Sequence, residues 1–285
     1  MRRCVLALAA LLAAAPLAAQ EDSGIGWEEV AVADEPADRA ASGSEVLLRS
    51  RRLVDSPTAV VLGHGAYRIE GRLMHGGSLA AGTFVGIKDR LEVGVCWGMR
   101  GLFGRGEVEF NDRTALSLRL LLAEERALPA LLIGFDNQGW GPWDEALERY
   151  ERKSKGFYFV ATRNWYGPLG TDVATSGGFN YSTEDKDESS LDFFAGLEQD
   201  YGGNFALILD YAVGLNDRAD EEPAARYGRG LGWLDAGLRW NVVGGVQFKF
   251  FLRDLLANYR VPYGERAGRP DSVDRQFEIS YEGSF

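Results

Sequence analysis

The chain closes on RQFEISYEGSF, residues 275–285. Phe277, Ile279, Tyr281 and Phe285 fall on one parity, with Gly283 between the last two. Gln276, Glu278, Ser280, Glu282 and Ser284 fall on the other. Successive side chains of a strand point to opposite faces, so this stretch reads as a β-strand with one apolar and one polar face.

The same period recurs upstream, in YRIEGRLMH (67–75), LEVGVCW (91–97), ALSLRLLLAEE (115–125), PALLIGFD (129–136), SLDFFAGLEQD (190–200), NFALILDYA (204–212), LGWLDAGLRW (231–240) and VQFKFFLR (246–253). Weaker patterns surround Phe84 and Phe157 and run through VATSGGFNYS. Together they predict about twelve strands, beginning near Tyr67, Ala80, Leu91, Thr114, Leu128, Gly156, Asp172, Ser190, Asn204, Leu231, Gly245 and Gln276. The connections alternate in length. Short ones fall at 88–90, 125–127, 166–170, 201–203 and 241–244, and long ones at 98–113, 137–155, 183–189, 214–230 and 254–275. Only the long-side connection near His75–Ser78 is short.

Loops sorted by parity point to an all-β antiparallel transmembrane barrel with short periplasmic turns and long outer loops. A soluble sandwich or lipocalin-like barrel would alternate as well, but with its apolar face inward. Three features favour the membrane: a very apolar parity sustained across many strands, aromatics near strand ends (Trp97, Trp165, Tyr166, Trp240, Tyr281, Phe285), and the terminal phenylalanine. Phe277, Ile279, Tyr281 and Phe285 resemble the C-terminal signal read by the outer membrane's barrel-assembly machinery. By parity the lumen receives Arg68, Glu70, Arg72, Glu92, Arg119, Asp136, Asp192, Glu198, Asp210, Asp235, Arg239, Lys249, Arg253, Glu278 and Glu282. Both signs are present, so cross-strand pairs are expected in a narrow lumen filled by its own side chains and by the N-terminal segment.

The first twenty residues, MRRCVLALAALLAAAPLAAQ, have the charged start, apolar stretch and small residues of a secretory signal peptide. Residues 21–56 are acidic and rich in small residues and read as a flexible periplasmic lead-in, within which SEVLLRSRRLVD (44–55) is a candidate ordered stretch of unassigned type. The barrel domain is placed at 57–285. Net charge is −11 for the whole chain; without Arg2 and Arg3, 29 basic residues face 42 acidic ones. That balance argues against nucleic acid as a partner. Beyond the signal peptide no apolar run is long enough for a helical span.

Little in the sequence carries catalytic chemistry. Two histidines, His64 and His75, and one mature cysteine, Cys96, match no metal spacing. His75 with Ser78 would be a base–nucleophile pair, but no third orienting group can be named. The glycines of GHG (63–65) and GRG (104–106) read as turns rather than phosphate cradles. EDKDES (184–189) and DRADEE (217–222) read as solvated acidic loops, with calcium or a divalent bridge to lipopolysaccharide as the alternative. WDEALERYERK (143–153) reads as a turn or two of helix in an outer loop, where Trp140 and Trp143 would suit sugar stacking.

LPALLIGFDNQGWGPW (128–143) followed by KSKGFYFVATRNW (153–165) resembles a strand–loop–strand unit of YjbH-like outer-membrane proteins. The stretches LRLLLAEERALP, TAVVLGHGAYRIEGRLMHGG, TSGGFNYS and DSVDRQFEISYE fit the same pattern. The resemblance covers most of the chain from Pro57. It implies an outer-membrane barrel associated with exopolysaccharide export, and it brings no catalytic residues. Larger members of that family carry additional regions absent here. The expected function is therefore a non-enzymatic channel or accessory in envelope export, without cofactor. Its partners would be outer-membrane lipid and lipopolysaccharide, the assembly machinery and polysaccharide-export components. The alternative is a plugged structural or adhesive barrel whose outer loops bind partners or glycans; a lipid-modifying enzyme built on His75 is a third.

Overall fold

The computed structural model describes residues 49–102, 108–110, 113–145, 147–166, 171–185, 190–217, 230–259 and 273–285. The strands are β1 (Ala66–Met74), β2 (Ser78–Ile87), β3 (Leu91–Arg100), β4 (Glu109–Phe110), β5 (Ala115–Ala123), β6 (Ala130–Asp136), β7 (Trp140–Asp144), β8 (Arg149–Arg152), β9 (Gly156–Tyr166), β10 (Asp172–Tyr181), β11 (Leu191–Tyr201), β12 (Phe205–Ala212), β13 (Trp233–Asn241), β14 (Val246–Arg253) and β15 (Asp274–Ser284). Twelve of them form a closed barrel in the order β2-β1-β15-β14-β13-β12-β11-β10-β9-β6-β5-β3, with β3 pairing back to β2. β4 extends the edge of β3, and β7–β8 is a separate hairpin.

The last strand is what closes the cylinder. β15 pairs with β1 over eight residues, from Ala66↔Ser284 to Leu73↔Phe277, and the Phe285 N–H donates to the Gly65 carbonyl at 3.0 Å. Neighbouring wall strands are antiparallel throughout the registered ladders. One seam differs. At one end of the β9–β10 seam Gly156 bridges to Tyr181 in locally parallel geometry. Gly156 has φ +59°, so the chain turns there and leaves the regular ladder. Farther along, the Thr162 and Ser176 hydroxyls bond at 2.9 Å and Trp165 Nε1 donates to Thr175 Oγ1 at 2.9 Å, so side chains join the strands there.

The two faces of the wall have opposite polarity, and a single step along a strand crosses it. On β5, Leu118 is 44% exposed whereas Arg119 is 2% exposed. Leu116, Leu120, Ile133, Phe193, Leu207, Leu238, Phe250 and Ile279 are likewise exposed outward. Aromatics ring the short-turn end, where Phe205 stacks on Trp240 at 5.9 Å and Tyr67 packs on Phe285 at 5.2 Å. An apolar outside around a charged inside reverses the arrangement of a water-soluble barrel. Closure also pairs the backbone polar groups within the wall, as hydrocarbon requires.

Two sequence expectations are corrected. The stretch 143–153 is not helical: β7 and β8 pair through Trp143↔Tyr150 and Asp144↔Arg149, and Glu148 takes φ +48° at the turn. Cross-strand packing of Trp143 on Tyr150 (4.9 Å, edge-on) outweighs the helical spacing of the same residues. Residues 49–56, placed with the flexible lead-in, form an ordered hairpin; they lie inside the barrel, where the N-terminal segment was expected to fill the lumen. Residues 1–48, GRG at 104–106, 186–189 and 218–222 fall outside the described residues.

Candidate functional site

The lumen is entered by two segments of the protein itself. From the short-turn end, residues 49–63 run inward, reverse and return to begin β1. The reversal is a tight hairpin: Leu53 N–H donates to the Ser56 carbonyl at 2.9 Å, Arg52 bridges to Pro57, and Thr58 N–H donates to the Arg51 carbonyl at 3.2 Å. Its tip is Val54–Asp55. From the long-loop end the β7–β8 hairpin folds inward, burying Trp140, Trp143 and Tyr150. Burial removes Trp140 and Trp143 from the exposed sugar-stacking role that their loop position suggested.

The wall grips the inner plug largely through its backbone. Asp210 on β12 accepts the N–H groups of Val54, Asp55 and Ser56 at 3.2, 2.8 and 2.8 Å. Arg119 on β5 donates to the carbonyls of Arg51, Thr58 and Val60 at 2.8, 2.5 and 2.8 Å. Lys249 on β14 donates to the Arg52 carbonyl at 3.1 Å, and Thr162 Oγ1 accepts the Ala59 N–H at 2.8 Å. Apolar contacts add to this: Ala59 packs with Leu132, Val160 and Phe194, Leu62 with Phe84 and Cys96, and Val54 with Ile208 and Phe251 alongside Leu53. Leu53 seats against Gly196, where a Cβ would stand 2.5 Å from its Cδ1.

Ion pairs complete the grip. Arg51 binds Glu92 through Nε (2.9 Å) and Nη2 (2.5 Å), and Arg52 binds Glu70 at 2.5 Å. Burial opposes the charge on Arg51, but Glu92 and Glu70 outweigh it and hold its pKa above the ordinary value. Burial likewise disfavours the Asp55 carboxylate, yet Arg253, Arg72 and Arg152 more than compensate and hold its pKa well below the usual range. On the wall, Asp210 and Asp235 stand directly opposite each other across β12–β13. Such a like-charge pair is unfavourable alone. The inserted segments neutralise it: plug amides serve Asp210, and Arg152 of β8 serves Asp235 at 2.5 Å.

The two segments touch. Arg152 Nε lies 3.6 Å from Asp55, and the Arg52 guanidinium lies over Trp140 at 4.6 Å. The outer hairpin is itself clamped by acidic residues expected in solvated loops: Arg149 pairs with Asp217 at 2.7 Å, Lys153 with Asp185 at 3.0 Å, and Glu184 accepts the Tyr150 and Ser154 N–H groups at 2.9 Å each. A void of about 40 Å³ separates plug and hairpin. Larger cavities flank this block, about 160 Å³ beside Arg49 and Asn164 and about 530 Å³ beside His75, Glu151 and Asp274.

Of the residues expected in the lumen, Arg68, Glu70, Arg72, Arg119, Asp210, Asp235, Arg239, Lys249 and Glu278 all lie inside, none more than 7% exposed. Phe277, Ile279, Tyr281 and Phe285 face outward. His75 sits 3.6 Å from Asp274. Among the described residues no group of His, Cys, Asp and Glu has metal-site geometry. Alternation does not single out Arg51, Arg52, Asp55, Arg149 and Arg152; for the first two the signal was a run of cations, RSRRL, beside a wall richer in carboxylates.

The fold and the site define a closed twelve-stranded barrel with a charged, internally occupied lumen. No protein-family model matches the chain, and no curated protein sequence matches it. Solved structures similar to it include the NanC porin, at 8% identity and TM-score 0.42 over 77% of this chain and 99% of that one. The outer membrane channel DcaP of Acinetobacter baumannii is 9% identical with TM-score 0.29, over 78% of this chain and 96% of that one. The outer membrane protein OpdK from Pseudomonas aeruginosa is 9% identical with TM-score 0.19, over 77% and 98%.

Proposed function

We propose that this is a non-enzymatic outer-membrane channel held shut by its own chain, serving envelope export of the exopolysaccharide kind that the YjbH-like resemblance implies. The observation that carries the reading is the character of the plug. Hydrogen bonds and ion pairs that water can replace carry much of its hold on the wall, beside the apolar contacts of Leu53, Val54, Ala59 and Leu62. A short segment so held can leave a lumen that is largely polar, at the cost of exposing those few apolar side chains and their wall contacts. The exterior belt supports placement in a lipid bilayer. The filled lumen favours one second reading, a permanently plugged scaffold whose outer loops meet partners.

Flux separates the two. Proteoliposomes carrying the refolded protein, or a variant lacking residues 49–62, are diluted into isosmotic sugar and their swelling followed. The channel reading expects slow swelling for the intact protein and fast swelling for the variant. Equal, slow swelling by two folded proteins supports the scaffold.

A further inference from the structure

Asp55, at the tip of the plug, aims its carboxylate at three guanidinium groups from three separate elements. Arg72 of β1 lies at 3.1 Å and Arg152 of β8 at 3.6 Å, and Arg253 of β14 hydrogen-bonds to it directly. Two of the three have another anion: Arg152 pairs with Asp235 at 2.5 Å, and Arg253 lies 3.7 Å from Asp274. For Arg72, among the described residues, Asp55 is the one carboxylate within ion-pair distance. Its other contacts are the Val54 carbonyl (2.9 Å), the Gln276 side-chain oxygen (2.6 Å) and the faces of Trp140 (4.1 Å) and Phe251 (4.5 Å).

Withdrawing the plug therefore removes the nearest counter-charge of Arg72, leaving it the more distant Glu278, and leaves three guanidinium groups around an empty carboxylate position. Clustered cations in a narrow lumen with low-dielectric walls attract an anion, so the vacated position favours one. The planar guanidinium fork matches a carboxylate in geometry as well as charge. The surroundings narrow the class further. Trp140 is buried while the plug is seated, but Arg52 leaves with the plug and uncovers the part of the ring it lies over, a surface suited to the apolar face of a sugar ring. Asp210, relieved of its three amide donors, becomes an acceptor for hydroxyl groups.

The geometry points to a carboxylate-binding subsite in the lumen, of which Asp55 is the resident mimic and a sugar acid the solute. This rests on the reading of the lumen as a path closed by the plug.

The test is binding of glucuronate to the refolded full chain, compared with glucose and with sodium chloride at equal ionic strength. Folding is checked by heat-shifted gel mobility, and binding is read by calorimetry. Asp55→Ala should bind glucuronate saturably. The intact protein and the Asp55→Ala, Arg72→Gln double variant should bind it about tenfold more weakly or worse, a difference of about 1.4 kcal/mol. Glucose should not bind to any of them. Asp55→Asn, which keeps the side-chain volume, makes the same comparison if the alanine protein does not fold. The proposal is overturned if glucuronate acts no differently from chloride, or if Arg72→Gln leaves its binding unchanged. Failure of the channel reading is separable: glucuronate binding with no flux after plug removal keeps the cradle and rejects the channel. Flux without glucuronate binding does the reverse.

Discussion

Asp210 tests how the plug is held. Its Oδ2 accepts three backbone N–H groups, two at 2.8 Å and one at 3.2 Å, all from the plug tip. Each hydrogen bond to a charged acceptor contributes ~1.5–3 kcal/mol, so the gross loss in Asp210→Ala is ~4.5–9 kcal/mol. Two effects reduce it. Water entering the space of the deleted carboxylate recovers part of the amide bonding, and repulsion from Asp235 directly opposite disappears. The net weakening of the plug is then ~2–3 kcal/mol, or ~30- to 150-fold in the ratio of seated to released plug. Asp210→Asn keeps an acceptor oxygen but not the charge, and should show about half that energy, roughly tenfold. Amide hydrogen exchange of the folded protein reads this directly. Val54, Asp55 and Ser56 should lose protection in the order Ala, then Asn, while ladder amides of β1 and β15 keep theirs. Unchanged exchange at those three amides in a folded Asp210→Ala protein refutes the reasoning. So does a loss spread evenly over the wall.

Three further outcomes are expected. Leu53→Ala, at a side chain packed on Ile208 and Phe251, should weaken plug seating by ~2–4 kcal/mol and expose 49–62 to protease without changing the barrel's heat-shifted mobility. Leu118→Arg, on the outward face of β5, should destabilise the bilayer-inserted barrel by ~2–4 kcal/mol in urea titrations. The outer hairpin should tighten as pH falls. Asp274 beside His75 raises the imidazole above its ordinary 6.5, and burial raises Glu151 above its ordinary 4.5, so the folded state binds more protons at both groups. The His75 contribution is complete below pH 6.5 and is lost as pH rises through the raised value. Neutral Glu151 adds stability as pH falls through its own raised value toward 4.5. Exchange at β8 amides should therefore slow on acidification, with His75→Ala removing the upper part of the change and Glu151→Gln the lower part. An opposite slope would show that charges other than these govern the hairpin.

Strand positions were legible because a barrel wall applies one rule to every residue. On β5, Leu116, Leu118, Leu120 and Leu122 face out, and Ser117, Arg119 and Leu121 face in, as alternation alone dictates. The starts near Tyr67, Leu91, Gly156 and Asn204 fall within two residues of β1, β3, β9 and β12 for the same reason. The occupants of the lumen obey no such period. RSRRLVD shows no type in the sequence, since its amides and cations are satisfied by Asp210, Glu70 and Glu92, which lie outside the segment. The β7–β8 hairpin was misread because Trp143, Leu147 and Tyr150 share a helical face; the edge-on contact of Trp143 with Tyr150 is a tertiary choice. EDKDES reads as solvated until Glu184 and Asp185 are seen binding the hairpin that folds in beside them.

The central claim, that residues 49–62 close an otherwise passable lumen, is met most directly by single-channel recording. The refolded protein and the variant lacking those residues are compared in planar bilayers, each shown folded by its heat-shifted mobility. The account predicts a largely silent intact protein and discrete, ohmic open steps for the variant, larger again when the 140–152 hairpin is replaced by a short glycine–serine link. Two folded, inserted barrels that stay equally silent with both segments removed would contradict it.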